Sequence, residues 1–437
     1  MRDILITVII FGLLPFVLMR PYIGVLVWSW IGYMNPHRLA YGFAYSFPFA
    51  KIVGIAVLIS FLFSKDKKKI PITPLTVVWA IFLLWITLST LFALYPQEAL
   101  LQFEKVMKIQ LITILTISVI SNKFRINWLI GVIAFSIGFY GIKGGVFSIT
   151  HGGQFKIWGP DGSFIADNNH LALALLMVLP LFYYLQTIAK NKLLKMVLIL
   201  FMVLIGISIV TSYSRGAFIG AFFVALFFWL KSRNKIIIGA SVILLSASVY
   251  NFMPLSWHDR MGTIVNYEED ASALNRINAW KMTVNVASDR IFGGGFNLWA
   301  VETYRKYRAE AERKEDPKRS AHSIYFGVLG EHGWPGLFIF ILIGIMTWRQ
   351  CSKIIKVSKN NEELEWLANL MRMVQVSLIA YGSGGAFLSL AYFDLYWHFV
   401  AIAVIGSVIV KDPKLNKIED INVKSNIESN KFISASR

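Results

Sequence analysis

The chain has 437 residues, of which 56% are hydrophobic and only 16% charged, yet 43 Lys and Arg against 25 Asp and Glu leave a formal net charge of +18. Soluble domains carry about a quarter charged residues, so this composition excludes a water-soluble globular protein and makes the lipid bilayer the solvent for most of the surface. One cysteine, Cys351, excludes an intramolecular disulfide and a Cys-based zinc cluster.

A spanning helix needs roughly 20 mostly apolar residues, because about 30 Å of hydrocarbon is crossed at about 1.5 Å per residue. In chain order the apolar runs are 4–19, 22–34, 49–63, 76–94, 106–120, 128–147, 171–185, 196–210, 217–230, 236–250, 336–348, 374–388 and 396–410, which predicts about 12–13 transmembrane helices. The first two runs are short and are separated only by Arg20 and Pro21, so a re-entrant hairpin and one broken element are both open. The Met-Arg-Asp start before an apolar run resembles a signal peptide, but the many runs that follow argue against cleavage.

The basic residues order these runs. Lys65, Lys67, Lys68 and Lys69, then Lys123 and Arg125, then Lys190, Lys192 and Lys195, then Lys231, Arg233 and Lys235, then Arg349, Lys353, Lys356 and Lys359 fall on alternate crossings. All five groups therefore share one side, and the positive-inside rule makes that side cytoplasmic. The longest hydrophilic segment, 251–321, has 11 basic and 10 acidic residues and faces the other way as a large periplasmic loop. With almost the whole basic excess spent on orientation, a nucleic-acid partner, suggested by a pI near 9.8, is not expected, since it would need a basic face on a folded domain. The predicted organisation is 1–250 with ten helices, in which 1–70 form a distinct region, then the loop 251–321, the C-terminal helices of 322–410, and a disordered cytoplasmic tail at 411–437 rich in Asn, Ser and Lys.

The outer segment ends at Ala321-His322-Ser323-Ile324-Tyr325, and nine residues after His322-Ser323 comes Gly333-Trp334-Pro335-Gly336. His-Ser, nine residues, then Gly-x-x-Gly resembles the bacterial O-antigen ligase and Wzy-type polymerase superfamily, whose ligases carry His-[Asn/Ser/Gln]-x9-Gly-x-x-Gly beside a large periplasmic loop. The N-terminal Arg20-Pro21-Tyr22-Ile23-Gly24-Val25, Met34-Asn35-Pro36-His37-Arg38 and Phe43-Ala44-Tyr45 look like the subgroup of exosortase-associated putative O-glycosylation ligases. The resemblance implies an all-α polytopic membrane protein of GT-C-like glycosyltransferase architecture in the bacterial inner membrane. It also implies transfer of a preassembled glycan from undecaprenyl diphosphate to an acceptor hydroxyl, with the active site facing the periplasm. The ligases use an Arg at the outer end of a middle span and an Arg in the large loop; the matching positions are Arg215, in Tyr213-Ser214-Arg215-Gly216, and Arg276, in Ala-Leu-Asn-Arg-Ile-Asn-Ala-Trp.

The chemistry of the residues agrees. A guanidinium presents a planar fork to phosphate oxygens and stays charged at any relevant pH, and Arg215 stands where an apolar run meets the outer surface, the default place for a functional ionisable residue. Snorkelling to headgroups is the plainer reading of Arg215, and a surface charge that of Arg276. His322 suits a general base on the acceptor hydroxyl, with the two arginines neutralising the departing diphosphate; this is a single inverting displacement without a metal or other cofactor. Its plainer reading is a helix-start histidine bonded to a carbonyl.

Other residues are candidate substrate contacts. Asp167-Asn168-Asn169-His170 combines N-cap chemistry with polar groups at the outer surface; capping is the plainer reading, and contact of Asn168, Asn169 and His170 with the donor the sharper one. Tyr325 follows the histidine motif, and Lys143 interrupts an apolar run near its outer end, either to hold phosphate or to snorkel. His332, in Glu-His-Gly-Trp-Pro-Gly, is expected to be structural. Asp394 and His398, at i and i+4 on one helix face, are expected to serve in an interhelical pair. The expected partners are the lipid-linked donor, a glycan, lipid or protein acceptor, and membrane lipids. A polymerase of the same superfamily is the alternative; a transporter or lipid flippase, the alternative from another class, would place its ionisable groups near the bilayer midplane.

Overall fold

In the computed structural model, which describes residues 1–64, 70–262, 264, 271–307 and 320–412, every regular element is a helix and no strand occurs among the described residues. Each of the thirteen apolar runs falls on one helix to within a few residues. They are α1 (Arg2–Met19), α2 (Pro21–Met34), α3 (Phe49–Phe63), α4 (Pro74–Leu91), α5 (Pro96–Val119), α6 (Lys123–Thr150), α7 (Asn168–Ile188), α8 (Lys192–Val210), α9 (Arg215–Lys231) and α10 (Lys235–Phe252). After α11 (Leu255–Gly262), α12 (Ala271–Asp289) and α13 (Val301–Tyr307), all within the large hydrophilic segment, come α14 (Ile324–Ser358), α15 (Glu365–Gly384) and α16 (Asp394–Lys411). Lys65, Lys67, Lys68 and Lys69 and the tail beyond Asp412 lie outside the described residues.

The chain is an all-α polytopic membrane protein. Among the described residues eight helices, α1, α4, α6, α7, α8, α10, α14 and α16, are long and apolar enough to cross a bilayer. The other five apolar runs fall short for two reasons. Helices α2, α3 and α9 have 14, 15 and 17 residues, while α5 and α15 are long but carry charged residues, Glu98, Glu104, Lys105 and Lys108 in the first and Glu365 and Arg372 in the second, together with polar side chains bonded inside the bundle. Gln110 of α5 accepts from Trp79 Nε1 at 2.7 Å, and Gln375 of α15 donates to Ser352 Oγ at 2.7 Å. A polar group in a hydrocarbon-embedded bundle must find its partner inside the protein, which lowers the hydropathy of a helix without removing it from the bundle.

Local chemistry sets the helix starts. Proline stands at the first position of α2, α4 and α5, where its missing N–H costs nothing. Side chains of Thr73, Asn122, Asp167, Asn191, Ser214 and Ser323 accept from the first free amides of α4, α6, α7, α8, α9 and α14.

The first two apolar runs form two separate antiparallel helices. Asp3 Oδ1 accepts from Gly42 N and Ala44 N at 3.0 and 3.1 Å, and Arg2 donates to Leu39 O at 3.3 Å, so the chain start returns to the end at which α2 finishes. The same end holds the 162–165 loop beside Arg38, the Tyr95 hydroxyl on Thr303 at 3.0 Å, and α11 to α13. The opposite end holds Arg125 over the Tyr22 ring and Lys123 over the Trp366 ring. Helix α16 is the most buried of the apolar helices, whereas α10 has no buried residue and lies at the rim of the bundle, against α9, where Trp229 Nε1 donates to Lys235 O at 3.0 Å.

Candidate active site

Arg215 is the first residue of α9 and is buried, 9% exposed. The turn before it is held from three sides. Asn168 Nδ2 donates to Ser212 O at 2.7 Å, Ser148 Oγ pairs with Thr211 Oγ1 at 2.7 Å, and the Tyr213 hydroxyl donates to Gly153 O at 2.9 Å. Tyr213 has φ +59°, a left-handed conformation that a bulky side chain rarely adopts; it directs the following residues across the end of the bundle. Trp257 Nε1 of α11 closes the turn by donating to Val210 O at 3.0 Å.

Arg276, on α12, lies in the hydrophilic segment, about 60 residues on, and lines the same cavity as Arg215. That cavity measures about 260 Å³ and is completed by Gly216, Ile219, Trp280 and Phe387 among others. Trp280 follows Arg276 by one helical turn. Its ring stacks on Phe326 of α14 at 4.7 Å, and its Nε1 donates to Ala321 O at 2.7 Å. That carbonyl belongs to the peptide bond leading into His322, so the backbone of the histidine sits against the residue that walls the arginine cavity. His322 is half-buried and left-handed at φ +44°, immediately before Ser323, whose hydroxyl caps α14. A non-glycine residue held in this conformation costs about 1–3 kcal/mol and is found where the surroundings impose it, commonly at functional sites.

The amino end of α9 borders the cavity as well, since Arg215 and Gly216 are its first two residues. Free amides and the positive end of the helix dipole favour an anion there. Two guanidiniums on separate elements, a helix amino end and an aromatic wall can together receive a diphosphate and the first sugar of a glycan.

The remaining candidates separate. Asn168 acts through the Arg215 turn, and Asn169 Nδ2 donates to Asn168 Oδ1 at 3.3 Å. His170 Nδ1 pairs with Asp167, which also accepts from the amides of Asn169 and His170 at 2.8 and 2.9 Å. Burial pushes the Asp167 carboxyl up, but these bonds outweigh it and hold the group below its ordinary value. Capping thus accounts for this cluster. Tyr325 donates to Gly382 O at 2.8 Å and lines a different cavity between α14, α15 and α16. Lys143 is exposed and lines an apolar recess with Trp30, Trp128 and Phe201, away from the arginines. His398 bonds the Tyr33 hydroxyl of α2 at 2.8 Å, an interhelical contact, but Asp394 meets it only through a backbone carbonyl at 3.0 Å.

An Asn168→Ala variant is expected to lower stability by about 1–3 kcal/mol, the cost of leaving a buried partner unsatisfied. The measurement is the thermal midpoint in detergent, and an unchanged midpoint would remove Asn168 from the support of Arg215.

The Gly-x-x-Gly motif has a structural job. Gly333, at φ +69° and ψ −176°, breaks α14, and Pro335 has no N–H to give. The carbonyls of Gly330, Glu331 and His332, which lose helical partners there, accept instead from Gly294 N at 2.8 Å, Gly295 N at 2.9 Å and Trp85 Nε1 at 2.8 Å. His332 is fully buried, with Ser89 Oγ on Nδ1 at 2.6 Å and the Tyr392 hydroxyl on Nε2 at 2.7 Å. The break thereby docks the 293–295 turn of the large segment onto the bundle.

Residues 200–341, which carry Arg215, Arg276 and His322, match the family described as O-Antigen ligase. Over this stretch the chain is similar to the O-antigen ligases. Residues 1–190 match a family of unknown function, DUF5935. No curated protein sequence matches the chain. The O-antigen ligase match supports a membrane glycan ligase or polymerase acting on glycan and lipid-linked substrates.

Sequence reasoning did not single out Trp280 or Phe387. The spacing of Trp280 one turn after Arg276 was the available signal, whereas nothing local to Phe387 marks it as a wall of the site.

Proposed function

We propose that the protein is a membrane glycan ligase that transfers a preassembled glycan from undecaprenyl diphosphate to an acceptor hydroxyl. The observation that carries this reading is the shared cavity of Arg215 and Arg276 with Trp280, bonded to the carbonyl that precedes His322. In the reaction the acceptor O–H gives its proton to the His322 imidazole, the oxygen attacks the anomeric carbon, and the bond from that carbon to the diphosphate oxygen breaks. The electron pair leaves with the diphosphate, whose charge Arg215 and Arg276 neutralise. One displacement inverts the anomeric carbon. The acceptor is lipid A core, a protein hydroxyl or a polysaccharide.

The cavity lies at the end opposite the basic loops, which by the positive-inside rule supports a periplasmic face; a bacterial inner membrane is what the likeness to O-antigen ligases implies. Charged candidates gathered at one end also favour an enzyme over a transporter, which needs its site near the midplane. A polymerase would use the same site with a lipid-linked glycan as acceptor.

Arg215→Lys and Arg276→Lys retain the charge and lose the bidentate fork. Each is expected to cut glycan transfer by about tenfold, roughly one charge-assisted hydrogen bond. The assay uses purified protein in lipid with undecaprenyl-diphosphate glycan and candidate acceptors, and full transfer by both variants would refute the assignment.

A further inference from the structure

A second cavity lies apart from the arginine site and is lined mostly by the part that matches the family of unknown function. It measures about 490 Å³ and lies between α2, α3 and α5 under the 162–165 loop. Its deeper wall is apolar, formed by residues such as Trp28, Leu58 and Ile112, and three lysines, Lys51, Lys105 and Lys108, line it nearer the end that carries the arginine site. Lys51 is the third residue of α3 counted from that end. Along one side, Ile55, Leu101 and Leu111 are 48%, 66% and 45% exposed, which opens the groove sideways to hydrocarbon.

The charges are unequally matched. Lys108 pairs with Glu104, and Lys105 lies over the Phe164 ring at 4.0 Å. Among the described residues neither Lys51 nor Lys105 has a carboxylate within ion-pair distance. Asp394 borders the same cavity. Two ammonium groups beside an apolar trough, one on the third residue of α3 and the other against the Phe164 ring of the 162–165 loop, are complementary to one class of molecule. Its head must be anionic and its tail must prefer hydrocarbon.

We infer that this groove binds a phosphate-bearing membrane lipid, with the phosphate on Lys51 and Lys105, assisted by Lys108, and the chain along the trough between α3 and α5. The site is distinct from the proposed diphosphate site, because none of its lining residues lines the Arg215 cavity. It gives the N-terminal part of the chain a task of its own, holding a second lipid on the same face as the arginine cavity.

The test is native mass spectrometry of the full chain in neutral detergent, with Arg215→Ala/Arg276→Ala as the background so that the arginine site does not report. Undecaprenyl phosphate, phosphatidylglycerol, phosphatidylcholine and inorganic phosphate are offered in turn. At least one of the two anionic lipids is expected to bind and to be retained over phosphatidylcholine, with inorganic phosphate unable to displace it. Lys51→Gln and Lys105→Gln should each weaken that binding roughly fivefold, the attraction of one basic side chain near an anionic lipid. Lys51→Arg should restore it. Gly54→Leu leaves every charge in place and fills the trough; its Cβ would sit 3.8 Å from Trp28, an ordinary contact, and a thermal midpoint equal to the wild type's checks that the fold is kept while the lipid is excluded. Equal retention of phosphatidylcholine, displacement by inorganic phosphate, or undiminished binding in the Gln and Leu variants would each overturn the inference. Because binding is read in the absence of the arginines, its failure leaves the ligase reading untouched.

Discussion

His322→Asn is expected to lower glycan transfer roughly a thousandfold, within the range typical of a lost general base, with little change in the thermal midpoint. Asn is chosen because His322 stands at φ +44°, and Asn is among the few side chains that adopt the left-handed region readily. It keeps the chain path into Ser323 and the cap of α14, but its amide cannot take a proton near neutral pH. His322→Gly extends the argument. Glycine relieves the strain of that conformation, so this variant should melt no lower than the wild type and still fail in transfer. A purely structural histidine would give the opposite pattern, with transfer preserved in the properly folded fraction. The decisive measurement is therefore transfer per folded molecule, and either variant working at the wild-type rate would remove the base from the mechanism.

The second large effect concerns stability. Gly333→Ala is expected to cost about 3 kcal/mol or more, seen as a fall in thermal midpoint or as failure to accumulate in the membrane. Two terms add. The φ and ψ of Gly333, +69° and −176°, lie in a region essentially reserved for glycine, where strain costs about 1–3 kcal/mol. A Cβ there would also stand 2.2 Å from Ile291 O, closer than nonbonded atoms allow, and backbone rather than a flexible side chain would have to yield. Gly327, two turns earlier on α14, is the control, since nothing lies within 4 Å of a Cβ at that position. Gly327→Ala should be neutral or stabilising by up to about 1 kcal/mol, the helix-propensity gain. If both substitutions behaved alike, the docking of the 293–295 turn onto the α14 break would not matter to the fold.

These two glycines show how much of the molecule can be read from its sequence. The motif that contains Gly333 is recognisable by spacing, and its likeness to O-antigen ligases points toward His322. Why the glycine is required is invisible at that level. Its neighbour Ile291 lies 42 residues away, and the carbonyls freed by the break are taken by Gly294, Gly295 and Trp85, which no local pattern connects to it. Tyr325 illustrates the reverse case. Nearness in sequence suggests a role beside His322, but His322 stands before the cap of α14 in a left-handed turn, and the tyrosine hydroxyl donates to Gly382 O. Asn168 was legible as part of a capping cluster, and only the packed structure connects it to the carbonyl of Ser212 and so to Arg215.

By itself the sequence determined the solvent, the helices and the two ends of the bundle. Hydropathy is a local sum over about 20 residues, and the alternation of basic loops is counted along the chain, so neither needs distant contacts. The tertiary structure decided which residues from the large segment meet the bundle. Arg276 shares a cavity with Arg215 because α12 is docked by the 293–295 turn and by Trp280 on Ala321. It also decided that Lys51 and Lys105 flank one groove although more than 50 residues separate them. Sites are made from side chains that converge from separate helices, and that convergence is a property of packing, which one-dimensional periodicity does not contain.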